Sequence, residues 1–165
     1  MEYYRSNLGY ARDAEIGDIA SLKDCLRETT KDELWAVHHF TPEQSLFYSF
    51  SNSVFCFSII VNDEVLAMGG IYRPKDLLAQ KATLWFLTSQ KLDKVERTFL
   101  RQCRNFMKTM LDIYPVLYNW VDIRNRPAIL WLKWIGAEFG AIAPFGVDNR
   151  MFQYFEFRRE NDRNP

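Results

Sequence analysis

Three apolar runs between residues 54 and 87 constrain this fold more than any other feature of the chain. Val54-Phe55-Cys56-Phe57-Ser58-Ile59-Ile60-Val61 is rich in β-branched and aromatic residues and too short for a typical helix, so it reads as a buried strand. Asn62-Asp63-Glu64 is turn sequence, and Val65 to Tyr72 returns as a second strand, which makes the pair a hairpin. A polar loop with Pro74 leads to the third run, Ala82 to Leu87, which ends in the polar residues Thr88, Ser89, Gln90 and Lys91.

Helical and further strand signals flank this unit. A strand around Leu8 to Ala11 is followed by Asp13, placed to cap a helix. Ile16, Ile19, Leu22 and Leu26 form that helix's apolar stripe, and Asp18, Lys23 and Arg27 are expected to face water. A second helical region covers Lys31 to His38. A third opens at Thr41-Pro42-Glu43-Gln44, where Thr41 and Gln44 have capping-box spacing and Pro42 suits the first turn. The aromatic Phe47, Tyr48 and Phe50 make it amphipathic or buried.

After Lys91 a long helix is expected, with Val95, Phe99, Cys103, Phe106 and Met110 as its stripe and Pro115 at its end. Val116 to Asp122 reads as a strand. A short helix from Pro127 to Ile135 stops at Gly136, and strands at Glu138–Ala143 and Met151–Phe157 complete one domain over 1–157, with a polar tail at 158–165. At 165 residues one core suffices, since roughly 70% of the unfolded chain's surface can be buried at this size.

Charge and cysteine usage narrow the function classes. Twenty-one basic and twenty-one acidic residues cancel, so no overall field draws the chain to nucleic acid or an anionic membrane. Cys25, Cys56 and Cys103 are scattered among apolar residues without metal-ligand spacing, and they read as reduced thiols of a cytoplasmic protein. No apolar run approaches the ~20 residues of a membrane span, so no membrane partner is expected.

The order of these elements resembles that of the GNAT acyltransferases. The most specific local match is Asn125-Arg126-Pro127-Ala128-Ile129-Leu130-Trp131-Leu132-Lys133-Trp134-Ile135-Gly136-Ala137-Glu138-Phe139, which is similar to the family's Asn-x-x-Ala helix ending in Gly before a strand. Arg12 to Ile19 is a second match, to the family's first strand and helix. Trp131 to Ala137, with the aromatic last strand, also resembles small GNAT-like proteins of short-tailed phages, some of them associated with the virion or its assembly. The resemblance implies an α/β fold with a mixed, mostly antiparallel twisted sheet flanked by helices. It also implies that Ala82–Leu87 lies parallel to Val116–Val121. Acetyl-CoA would be the acyl donor and an amine the acceptor; in the noncatalytic alternative the fold is a scaffold for a protein partner, in the host cytoplasm or the virion.

Two departures from the family pattern bear on activity. In the family, a Gln/Arg-x-x-Gly-x-Gly/Ala loop binds pyrophosphate through backbone N–H groups at a helix start. Here the segment is Gln90-Lys91-Leu92-Asp93-Lys94-Val95, with Asp93 and Val95 at the glycine places and Lys91 and Lys94 as compensating charges. Leu132 stands where many members carry a Tyr that protonates the leaving thiolate, which leucine cannot do. Weak or absent acetyl-CoA binding is therefore expected.

By the resemblance, the cofactor residues are Leu87, Thr88, Ser89, Gln90, Lys91, Lys94 and Asn125. Asn125 suits the amides of a pantetheine-like ligand and equally a helix N-cap. Asp122 suits an amine or a turn cap. His38 and His39 read as a surface pair; Arg97, Arg101, Arg104 and Lys108 as a solvated helix face; and Trp131 and Trp134 as core. The sequence singles out no catalytic base and no metal ligand.

Overall fold

The computed structural model describes residues 1–5, 9–76, 78–94 and 106–159, with the side chains of Tyr4, Asp93 and Lys94 outside that description. Its strands are β1 (Glu2–Arg5), β2 (Gly9–Asp13), β3 (Ser53–Val61), β4 (Glu64–Tyr72), β5 (Lys81–Thr88), β6 (Val116–Asp122), β7 (Glu138–Phe145) and β8 (Arg150–Arg158). The α-helices are α1 (Ile16–Leu22), α2 (Glu28–His38), α3 (Pro42–Ser51), α4 (106–113) and α5 (Arg126–Ile135). The strands form one eight-stranded sheet in the order β1-β2-β3-β4-β5-β6-β8-β7. Among the described residues β5–β6 is the one parallel pair, as the family resemblance implies.

Alternation along the strands divides the core between the two sheet faces. On one face, α4 and α5 place Met107, Met110, Leu111, Leu132 and Ile135 over Phe57, Leu84, Leu117 and Phe155. On the other, Ile19, Leu22 and Leu46 of α1 and α3 cover Met68, Trp85 and Leu87. The β3–β4 hairpin turns through Asn62 and Asp63, both at positive φ, a conformation these two side chains tolerate. The Thr41–Gln44 capping box is present, with both reciprocal bonds made.

Several local expectations are corrected. β1, unforeseen, pairs with β2 at the sheet edge. Asp13 ends β2 and accepts a hydrogen bond from the Tyr3 hydroxyl, while Glu15 is the N-cap of α1. Asp18 does not face water: it is 4% exposed and takes two bonds of 2.9 Å from the Arg12 guanidinium, with further bonds from the Glu15 N–H and the Ser58 hydroxyl. Burial alone would raise the Asp18 carboxyl, but these donors outweigh it and hold it below the usual carboxylate range. Ile16, assigned to the apolar stripe, is exposed because α1 begins there, before its buried face.

The polar run after β5 continues as a 3₁₀ helix, Gln90–Lys94. Val95, Phe99, Cys103, Arg97, Arg101 and Arg104 lie outside the described residues, whereas Phe106 and Met110 pack into the core as expected. Gly136 ends α5 at φ 108°. The last strand runs through Arg158, and Arg159 donates to the Leu111 carbonyl at 2.7 Å, so the tail's first two residues are held.

Candidate functional site

Strands β5 and β6 are in register only over Lys81↔Val116, Ala82↔Leu117 and Thr83↔Tyr118. Beyond Thr83 they diverge, and the gap contributes to a cleft of about 1220 Å³ that reaches both faces of the sheet. Phe86 and Trp131 line it and stack with ring centroids 5.1 Å apart at 9°. Gly69, paired with Phe86 on β4, leaves room for the Phe57 and Phe86 rings; a Cβ there would sit 2.7 Å from both. Trp120, Phe145, Tyr48 and Glu33 also line the cleft.

The two strand edges facing this gap differ. On β6, the Trp120 N–H donates to Asn119 Oδ1 at 2.7 Å, and the Asp122 N–H donates to Glu33 Oε1 at 3.0 Å. Asn119 also reaches across the gap, its Nδ2 donating to the Leu84 carbonyl at 2.6 Å. The β6 edge is thus capped by side chains. On β5, period-two alternation turns the backbone groups of Phe86 and Thr88 toward the gap, three and five residues past Thr83, the last paired position. The Thr88 end of that edge is covered by the chain after α1, through an antiparallel bridge between Leu26 and Ser89 and a bond from the Gln90 N–H to the Cys25 carbonyl.

Glu33 is the residue the sequence reading missed. It projects from α2 between the end of β6 and the start of α5, where its carboxylate also accepts from the Asn125 side chain. Burial pushes its pKa up to about 7, against the lowering effect of the Asn125 and Asp122 bonds. An isolated Glu within a helical stretch carries no sequence signal of this kind, because its partners lie about ninety residues away.

The cofactor candidates fall into two groups. Leu87 is core, and Thr88 pairs with Ala67. Ser89 is fully buried: its N–H donates to the Leu66 carbonyl at 2.8 Å, and its Oγ accepts from the Lys91 N–H at 3.1 Å. The Gln90 N–H donates to the Cys25 carbonyl at 3.0 Å, and the Leu92 N–H to the Ser89 carbonyl at 3.1 Å. The Lys91 ammonium lies 2.5 Å from Glu64. Lys94's side chain is outside the described residues. Asn125, away from this loop, is 9% exposed; its Oδ1 caps α5 by accepting from the Ala128 N–H at 3.3 Å.

The remaining candidates are engaged by the protein. Asp122, 2% exposed, accepts from the Arg124 N–H at 2.9 Å and pairs with its guanidinium, the turn-capping arrangement. His39 meets Asp148 at 2.7 Å, whereas His38 lines the cleft mouth beside Phe40. Lys108 is exposed, Trp134 is 40% exposed, and Leu132 is buried in the core. Among the described residues no cluster of His, Cys, Asp or Glu can hold a metal ion, and no helix is long and apolar enough to cross a membrane.

A known family covers both strands that border this cleft. The family described as "Bacteriophage T7, probable scaffold protein Gp13" matches residues 55–141. The chain belongs to that family. Among curated proteins, none matches this Gp13-family sequence.

Solved structures supply the fold comparison. The ribosomal-protein-S5-alanine acetyltransferase of Vibrio fischeri is 10% identical, with TM-score 0.66 and all of both chains covered. RimL, a ribosomal L7/L12 alpha-N-protein acetyltransferase in complex with coenzyme A, is 6% identical, with TM-score 0.71 and 98% of this chain and 100% of that one covered. An acetyltransferase of the GNAT family from Streptococcus pneumoniae is 14% identical, with TM-score 0.59 and 90% and 98% covered. The Gp13-family chain therefore has the GNAT fold, as expected.

Among the described residues after β5, those from Ser89 to Leu92 offer no free N–H to the pyrophosphate of an acyl-CoA. An anion cradle needs free N–H groups. Those of Ser89, Gln90, Lys91 and Leu92 are all donated within the protein.

Proposed function

We infer that this Gp13-family chain is a noncatalytic bacteriophage assembly protein that uses the GNAT fold as a scaffold for protein contacts. The observation that carries the reading is the closed backbone after β5, where each N–H from Ser89 to Leu92 already has an acceptor. Binding a diphosphate there requires breaking several of these bonds, and Asp93 adds a negative charge to the same segment. Leu132, buried where many acetyltransferases carry an acid, supports the same reading.

The test is calorimetric titration and melting of the full chain with acetyl-CoA. A ligand at one hundred times its dissociation constant stabilises the folded state by about 2.7 kcal/mol, a shift of several degrees in a chain of this size. No heat and no shift at millimolar acetyl-CoA are expected. A shift of several degrees at micromolar acetyl-CoA would overturn the reading.

A second reading, transfer of an acyl group to an amine, is favoured by Glu33. A carboxylate with pKa about 7 in the cleft is suited to hold an amine's proton at neutral pH. Its test is turnover of acetyl-CoA with amine acceptors, compared between the unmodified chain and Glu33→Gln.

A further inference from the structure

Four rings form a continuous row outside the sheet, built by the end of α2, the loop after it, α3 and the close of β4. His38 stacks on Phe40 at 5.3 Å, Phe40 meets Tyr48 at 5.8 Å, and Tyr48 meets Tyr72 at 6.1 Å between ring centroids. The last two pairs are tilted by 59° and 57°, so each opens as a wedge. The row is held from below. Tyr72 packs on the buried Trp85, and its hydroxyl is hydrogen-bonded to Ser49 Oγ at 2.6 Å. Asn52 Nδ2 donates to the Tyr48 carbonyl at 2.8 Å, and the Arg73 N–H donates to the Asn52 carbonyl at 2.9 Å. Rings fixed in this way lose little conformational entropy when a ligand settles on them.

The geometry of the row selects its ligand. It presents side chains of helix ends and a loop, without a ladder of backbone groups, so a β-strand has nothing to pair with. Tilted rings also give a nucleic-acid base no parallel walls to stack between. A polyproline II chain fits better. Two of its residues advance about 6.2 Å, close to the two ring steps, and its pyrrolidine rings suit aromatic-lined grooves. Its carbonyls make no internal hydrogen bonds, and the Tyr48 hydroxyl, on a side chain 47% exposed and with no partner among the described residues, is placed to donate to one. Charge adds a direction. At the Tyr72 end, Arg73 and Lys75 are exposed and make no ion pair among the described residues. Asp76, the nearest acid in sequence, is turned to the Leu78 N–H at 2.9 Å.

We propose that this row docks a proline-rich polyproline II segment of a partner protein, with prolines in the Phe40–Tyr48 and Tyr48–Tyr72 wedges and an acidic residue beside Arg73 and Lys75. The segment engages no backbone group of β5 or β6. The inference names the partner chemistry of the scaffold reading, and it rests on that reading only in that the row serves protein contacts.

The experiment is fluorescence anisotropy of the full chain with three labelled peptides of equal length: a proline repeat flanked at both ends by aspartates, the same repeat flanked by lysines, and a glycine–serine repeat flanked by aspartates. The aspartate-flanked proline peptide is expected to bind about tenfold more tightly than either of the others. Tyr48→Ala should weaken that binding about tenfold, and Tyr48→Phe, which keeps the ring and loses the hydroxyl, about threefold. Arg73→Glu combined with Lys75→Glu should turn the preference toward the lysine-flanked peptide. These two positions are exposed, so the charge reversal decides the matter even where melting shows that Tyr48→Ala has lost its fold. Equal binding of the glycine–serine peptide, no binding of any of the three, a charge preference that does not turn, or tighter binding of a labelled oligothymidylate would overturn the inference. Acetyl-CoA titration of the same sample separates this failure from failure of the noncatalytic reading.

Discussion

Asp18 is buried and Glu33 half-buried, and their environments give the two carboxylates opposite pH behaviour. The Asp18 carboxyl is held low, so its ionised form stabilises the fold above the ordinary carboxylate pKa and that stability is lost as pH falls through the depressed value. Glu33 is raised to about 7, so its ionisation costs stability that grows as pH rises from about 4.5 to 7 and is fully present above 7. Glu33→Gln is therefore expected to raise the melting temperature at pH 8 and to leave it nearly unchanged at pH 4. The pKa difference corresponds to roughly 3 kcal/mol at most. Thermal melts across pH 4–8 would check this, and a Gln variant equally stabilised at both ends would contradict it. Asp18→Asn is expected to cost roughly 3 kcal/mol, because Arg12 is left without its buried counter-charge.

Legibility at this scale depended on the distance to the partner. Thr41 and Gln44 are three residues apart, and their capping box was read from spacing alone. Asp18 was read as solvated because helical periodicity cannot register a guanidinium on the preceding strand or a hydroxyl forty residues away. Glu33 gave no signal, since its partners Asp122 and Asn125 belong to another part of the sheet.

Among the elements, α2 and α5 do most to shape the cleft. The α2 backbone meets the β7–β8 turn through two bonds, from the Val147 N–H to the Val37 carbonyl at 3.1 Å and from the Asp148 N–H to the Ala36 carbonyl at 3.0 Å. This approach requires Gly146: it lies at φ 76°, and a Cβ there would sit 2.5 Å from the Val37 Cα. Gly146→Ala should destabilise the chain by about 1–3 kcal/mol and loosen α2 first, seen as faster exchange at Val147 and Asp148. At α5, Asn125→Ala removes an N-cap worth about 1 kcal/mol. It also removes a bond that lowers the Glu33 pKa, so carbon-detected titration of Glu33 should move upward from about 7.

Most of these elements were visible as apolar periodicity, because strands of this sheet and the amphipathic helices carry their burial pattern locally. β1 was not, being a short edge strand that pairs only with β2 and contributes little apolar sequence. The 3₁₀ helix at Gln90–Lys94 was also missed, since Leu92 and the lysines suit either helix type. That difference bears on the candidate site, because local bonds to Ser89 consume the Lys91 and Leu92 N–H groups, while those of Ser89 and Gln90 are taken by the distant Leu66 and Cys25 carbonyls.

Across the whole molecule, the order of strands in the sheet places β1 to β5 on one side of the β5–β6 junction and β6 to β8 on the other. The family resemblance anticipated the parallel pair, but the shortness of the pairing was not legible: nothing in Leu84 to Thr88 or Asn119 to Asp122 marks where two parallel strands part. Three paired positions join a five-stranded group to a three-stranded one, and the α4–α5 core and α2 cross the same line. The sheet thus has a mechanical fracture line. With handles attached at the exposed turn residues Asp63 and Asn149, which lie on opposite sides of it, the first rupture under load should part the two groups before either unravels, giving two successive force steps in place of one.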